Sequence, residues 1–180
     1  MAEKKEKKKR RAYLNDFTKT ESGEYRYSGK VYVYDGKEDL GKLHKLTLFL
    51  TVTIMVSLVL AGLLPAKGIM DAWYVILPYL TAFANGCILC WKYGRYRFNA
   101  KELREYVYEK TVKEFSLLTK ISLGFTSLAA VMELLYLLII GAGEALFESL
   151  TVLVCLAVSA FASYIWVKAE GEFVWKVKSM

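Results

Sequence analysis

Glu133 is the one acidic or basic side chain set deep within an apolar stretch of this 180-residue chain, so the search for chemistry begins there. A charge at bilayer depth costs roughly 2.5–3.5 kcal/mol on insertion scales, so it must face other helices and find a partner, or carry a proton. Two roles suit such a group: a proton- or cation-linked site, or a protonated carboxyl hydrogen-bonded to a neighbouring helix. At ~1.5 Å per residue counted from Ile121, Glu133 lies roughly 18 Å along its helix. The same count brings Ser57, Tyr79 and Cys155 to its height. It puts Thr53, Asn85, Ser127 and Ser159 in a second polar layer roughly 9 Å away. The candidate intramembrane site is therefore Glu133 with Tyr79, Ser57 and Cys155 around it and Asn85 next. Hydrogen bonds between membrane helices average about 0.6 kcal/mol, which makes these groups glue as readily as a pathway.

Other reactive types are sparse. Cys87 and Cys90 have the C-x-x-C spacing, which on a helix puts both thiols on one face. A redox thiolate is favoured at a helix N-terminus, whereas this pair falls at the C-terminal end of an apolar helix, where the dipole opposes it. A zinc site needs four ligands, and the single histidine, His44, cannot complete one. No Ser-His-Asp, P-loop, dinucleotide or H-E-x-x-H pattern occurs. The expectation is a non-enzymatic protein with no cofactor and no metal.

The elements that must position these residues are four apolar stretches: 46–64, 72–91, 121–140 and 146–167. Each approaches the ~20 residues that carry a helix across a hydrocarbon core. Hydrophobic content of 55% and a mean hydropathy of +0.26 agree. The net charge of +7 is not a nucleic-acid signal, because its distribution follows the stretches. Of 25 Lys and Arg, 13 precede the first stretch, eight lie between the second and third, and three follow the fourth; Lys67 alone falls on the other side. Basic loops stay cytoplasmic on insertion, so both termini and the central loop are expected inside the cell. The expected fold class is an all-α four-helix transmembrane bundle, up-down-up-down, with a small N-terminal cytoplasmic β-hairpin. The expected location is the plasma (inner) membrane of a bacterial cell, with anionic lipid against the cytoplasmic face.

Residues 1–23 form a basic arm that repels itself and is expected to be disordered. Residues 24–34 alternate with period two around Ser28-Gly29, which predicts a hairpin pairing Tyr27 with Lys30 and Tyr25 with Tyr32. Tyr25, Tyr27, Tyr32 and Tyr34 would then share one face, a candidate partner surface. Pro78 interrupts the second stretch, and Trp73, Tyr74, Trp91 and Tyr93 flank it as interfacial anchors. Between 99 and 119, Asn99 and Glu102 predict a capped amphipathic helix with Leu103, Tyr106, Val107, Thr111, Phe115 and Leu118 on one face. That helix either lies on the membrane or runs on into the third stretch. Lys176 and Lys178 near the C-terminus have dilysine spacing, which carries an address only in a eukaryote.

The size resembles that of four-helix exporters of the small-multidrug type, but those carry their glutamate in the first helix and this chain carries it in the third. The first functional expectation is an accessory or regulatory subunit that acts through protein–protein contacts, with a membrane protein or a second copy as partner and no nucleic acid. The alternative is a small oligomeric transporter or channel with Glu133 as its proton or cation site.

Overall fold

Away from water, a backbone can satisfy its N–H and C=O groups within a single segment only by forming a helix, and the four apolar stretches do so. The computed structural model describes residues 17–19, 23–97, 102–141 and 143–178; the basic run before residue 17, Asn99 and Lys101 lie outside them. Helix α1 (Leu40–Leu63) is capped by Asp39, whose carboxylate accepts from Gly41 N at 3.0 Å. After Pro65 comes a five-residue helix, α2 (Lys67–Asp71), and then α3 (Trp73–Arg97), with Pro78 inside its second turn. Helix α4 (Glu105–Lys110) leads through Thr111 into α5 (Val112–Ile139). A 3-10 turn at Gly143–Ala145 precedes α6 (Leu146–Glu170).

The protein is thus mostly helical, and among the described residues four helices are long and apolar enough to cross a membrane: α1, α3, α4 with α5, and α6. Helix α1 packs on α3 and α6, and α5 packs on the same two. Leu58, Val75, Leu89, Leu156 and Trp166 are fully buried between them, while Leu63, Phe147, Phe161 and Ile139 project outward. Helices apolar on every face suit lipid on the outside and protein on the inside. Buried hydroxyls are satisfied locally: Thr51, Ser57, Thr119 and Thr126 each donate to the carbonyl four residues back, at 2.6–2.9 Å.

All four helices run past their apolar stretches at the basic end, and a three-stranded antiparallel sheet gathers there. Strand β3 (Val31–Tyr34) lies at its centre, between β4 (Leu103–Arg104) and β5 (Trp175–Val177). Val31 pairs with Arg104, and Val33 with Lys176. Strands β1 (Phe17–Lys19) and β2 (Tyr25–Tyr27) pair separately, Phe17 opposite Tyr27.

The hairpin expected around Ser28-Gly29 does not form. A two-residue primed turn needs positive φ at its centre, and Gly29 is not among the positive-φ glycines, whereas Gly23, at φ 85°, sits on the β1–β2 connection. An isolated hairpin is marginal in water, and β3 instead fills both of its edges with distant strands. The four tyrosines therefore share no face. Tyr32 stacks on Tyr108 at 4.0 Å and Tyr34 meets Trp175 edge-on at 5.7 Å, both in the larger sheet. Tyr27 packs against Phe17, with the Arg104 guanidinium over both rings. The segment at 102–111 also departs from the continuous helix expected there. Leu103 and Arg104 are strand, because β3 offers them an edge, and the helix begins at Glu105. Leu103, Val107, Thr111, Phe115 and Leu118 of the expected apolar face are buried, and Tyr106 is exposed.

Candidate functional site

Two buried polar clusters occupy opposite ends of α1. At the end joined to α2, the C-terminal part of α5 carries Glu133 into the interior, fully buried. Neither carboxyl oxygen has a hydrogen-bond partner among the described residues, and the same holds for the buried Ser149 hydroxyl in the first turn of α6. The Ser149 hydroxyl lies near the carboxyl, outside ordinary hydrogen-bond geometry. The short helix α2 closes over it, for a Cβ at Gly68 would overlap the Glu133 carboxyl. Only glycine lets the α2 backbone approach so closely.

Among the described residues, none of the shell expected from depth counting hydrogen-bonds the Glu133 carboxyl. Ser57 Oγ donates to Thr53 O at 2.7 Å, and Tyr79 Oη donates to Leu58 O at 2.9 Å. Asn85 Nδ2 donates to Leu118 O at 2.8 Å, tying α3 to α5. Cys155 is half-buried and makes none of these bonds. Rise per residue fixes height along a helix but leaves open which way each side chain turns, and the neighbour on α6 is Ser149. In the second layer, Ser159 is buried without a hydrogen-bond partner among the described residues, and Thr53 and Ser127 are half-buried. The direct hydroxyl link between α5 and α6 is Ser122 to Ser163, at 3.1 Å.

The second cluster lies beneath the sheet. His44 Nδ1 is 3.0 Å from an Arg97 guanidinium nitrogen, and His44 Nε2 is 2.5 Å from Tyr96 Oη. Arginine only donates, so Nδ1 accepts and the imidazole proton sits on Nε2, directed at Tyr96. Tyr93 Oη donates to His44 O at 2.7 Å and accepts from Thr47 Oγ1 at 3.1 Å. Trp166 Nε1 donates to Thr51 Oγ1 at 2.9 Å, which brings in α6. Around this network Phe115, Trp166, Phe173 and Trp175 form an aromatic cage, with Tyr96 edge-on to Phe115, Phe173 and Trp175 at 5.6–6.1 Å. A search confined to mid-span charges passes over this cluster. Its signal was the spacing His44–Thr47–Thr51 on one helix and Tyr93–Tyr96–Arg97 on another, each marking one helical face.

His44 and Tyr96 are almost wholly enclosed, and the pair fastens α1 to α3 from the interior. Among the described residues no three His, Cys, Asp or Glu side chains converge on a metal position. Cys87 is exposed and Cys90 half-buried, both as free thiols. Tyr25, in β2, is 72% exposed, while Tyr32 and Tyr34, in the three-stranded sheet, are half-buried. Burial, helped by Glu105 at Tyr32 and Glu172 at Tyr34, pushes both phenols above their ordinary range and keeps them neutral. No protein-family model, curated protein or solved structure matches this chain significantly.

Proposed function

We propose that the chain is a non-enzymatic accessory or regulatory subunit of a plasma-membrane assembly, built as an up-down-up-down four-helix bundle with both termini cytoplasmic. The observation that carries the reading is the sheet, in which β3, β4 and β5 draw the segment before α1, the central loop and the C-terminal tail onto one end of the helices. Among the described residues β5 leaves one edge open, and an extended partner segment adds readily to such an edge. Antiparallel neighbours are supported by the paired positions: His44 with Tyr96 and Leu58 with Tyr79, then Ser122 with Ser163 and Thr119 with Glu170. Membrane embedding is supported by Trp73 and Trp91, both highly exposed on α3 and roughly 27 Å apart along it, close to the thickness of a hydrocarbon core.

Orientation follows from the basic split and is testable by labelling. Lys67→Cys is expected to react with a membrane-impermeant maleimide in intact cells, and Lys101→Cys only after permeabilisation. The reverse pattern inverts the topology. For the subunit reading, a photo-crosslinker at Tyr25 or Val177 is expected to give one discrete adduct with a different membrane protein at native expression. Adducts with a second copy alone, or a clean monomer without adducts, sink that reading.

A second reading, the small oligomeric transporter, is favoured by one observation: the Glu133 carboxyl is buried without a hydrogen-bond partner among the described residues. Against it stands α2, which closes over that carboxyl.

A further inference from the structure

A groove of about 350 Å³ opens where the start of α1 meets the end of α6, lined by Glu38, Lys42, Leu43, Leu46, Ala169 and Glu172. Its floor is apolar, with Leu43 and Ala169 buried and Leu46 partly exposed along the wall. Its rim holds two carboxylates and one ammonium, and among the described residues none of the three is in an ion pair. The rim is fixed by Tyr34, whose hydroxyl donates to Glu38 O at 2.9 Å and lies 3.4 Å from Glu172 O. Leu46 opens the apolar stretch of α1, so on the membrane reading proposed above, on which this inference rests, the rim stands at headgroup level and the floor faces acyl chains.

We propose that this groove binds a phosphoethanolamine lipid. Its primary ammonium sits between the Glu38 and Glu172 carboxylates, its phosphodiester meets Lys42, and an acyl chain lies along Leu43 and Leu46. The charge pattern selects this headgroup. An anionic glycerol headgroup brings no cation to two carboxylates, and a quaternary choline ammonium has no N–H to donate. The basic surface that surrounds the helix ends attracts anionic lipid without distinction, whereas this groove carries an excess of negative charge and discriminates against it.

The test is retention of lipids of matched acyl chains by the full-length protein, read by native mass spectrometry after release from nanodiscs. Phosphatidylethanolamine is expected to bind about tenfold more tightly than phosphatidylcholine or phosphatidylglycerol, the loss expected when charge-assisted hydrogen bonds to the ammonium cannot form. Glu38→Gln with Glu172→Gln, both exposed and nearly isosteric, should remove that preference. Tyr34→Phe keeps the ring contact with Trp175 and should weaken it by a smaller factor. Equal retention of phosphatidylglycerol, or a preference that survives the double substitution, overturns the proposal. A wild-type protein that enters nanodiscs of no composition overturns the membrane reading itself, which separates that failure from a failure of the groove.

Discussion

Tyr96→Ala is expected to cost about 3–5 kcal/mol of stability, the range seen when a large buried aromatic is removed from a packed core. Tyr96 is fully buried and touches three elements at once: His44 on α1, Phe115 on α5, and Phe173 and Trp175 beside and within the sheet. Its loss opens a cavity between helices and sheet and strands the His44 Nε2–H. Tyr96→Phe separates the two effects. It keeps the ring and removes the acceptor, so a cost of about 1–3 kcal/mol is expected from the buried donor left without a partner. Pairing it with His44→Leu removes both partners, and the double substitution should cost less than the two singles added together. Denaturation in detergent micelles gives the energies. Hydrogen exchange over 31–34 and 173–177 shows whether the sheet loosens with the helices. If Tyr96→Ala stays within about 1 kcal/mol of wild type, or leaves exchange in the sheet unchanged, the cluster does not join the two layers.

The contrast between what the sequence revealed here and what it hid has a physical basis. Hydropathy located the four long helices because the cost of burying backbone and charge in lipid is large and accumulates over ~20 residues. The ends of those helices were less legible. Helix α1 begins at Leu40 and α3 ends at Arg97, beyond their apolar stretches, because the extra turns are held by Asp39, by the aromatic cage and by the sheet. Strand pairing was the least legible. The alternation at 31–34 is local, but its partners lie more than 65 residues further along the chain, and nothing local at 103–104 or 175–177 names them. Glu133 stood out as a lone charge, yet depth alone could not assign its neighbours. Gly68 and Ser149 reach it through the direction in which α2 and α6 turn, which rise per residue does not encode. His44 lies outside the expected first span, at 46–64, and its burial comes from Tyr96 and Phe173, which pack against it.

Gly68→Val is expected to cost about 3 kcal/mol, the upper range for overpacking a filled interior, because the added Cβ lands on the Glu133 carboxyl. The sign of the coupling is the informative quantity. Glu133→Ala vacates that position, so Gly68→Val in its background should recover a large part of the loss, with an interaction energy of roughly 1–2 kcal/mol in the double-mutant cycle. Substitutions at Glu133 alone then distinguish its roles. A neutral carboxyl that contributes only volume should tolerate Glu133→Gln within about 0.5 kcal/mol, and Glu133→Met should stabilise by about 1–3 kcal/mol through removal of a buried polar group without a partner. Glu133→Lys places an unpaired positive charge in the same enclosure and should abolish stable insertion. A transporter behaves differently: Glu133→Gln folds and inserts normally yet loses proton- or cation-coupled flux, because it cannot ionise. Stability that is insensitive to Gly68→Val, or a Glu133→Gln variant that folds but loses its cellular role, shifts the assignment from a sealed structural carboxyl to a site opened by movement of α2.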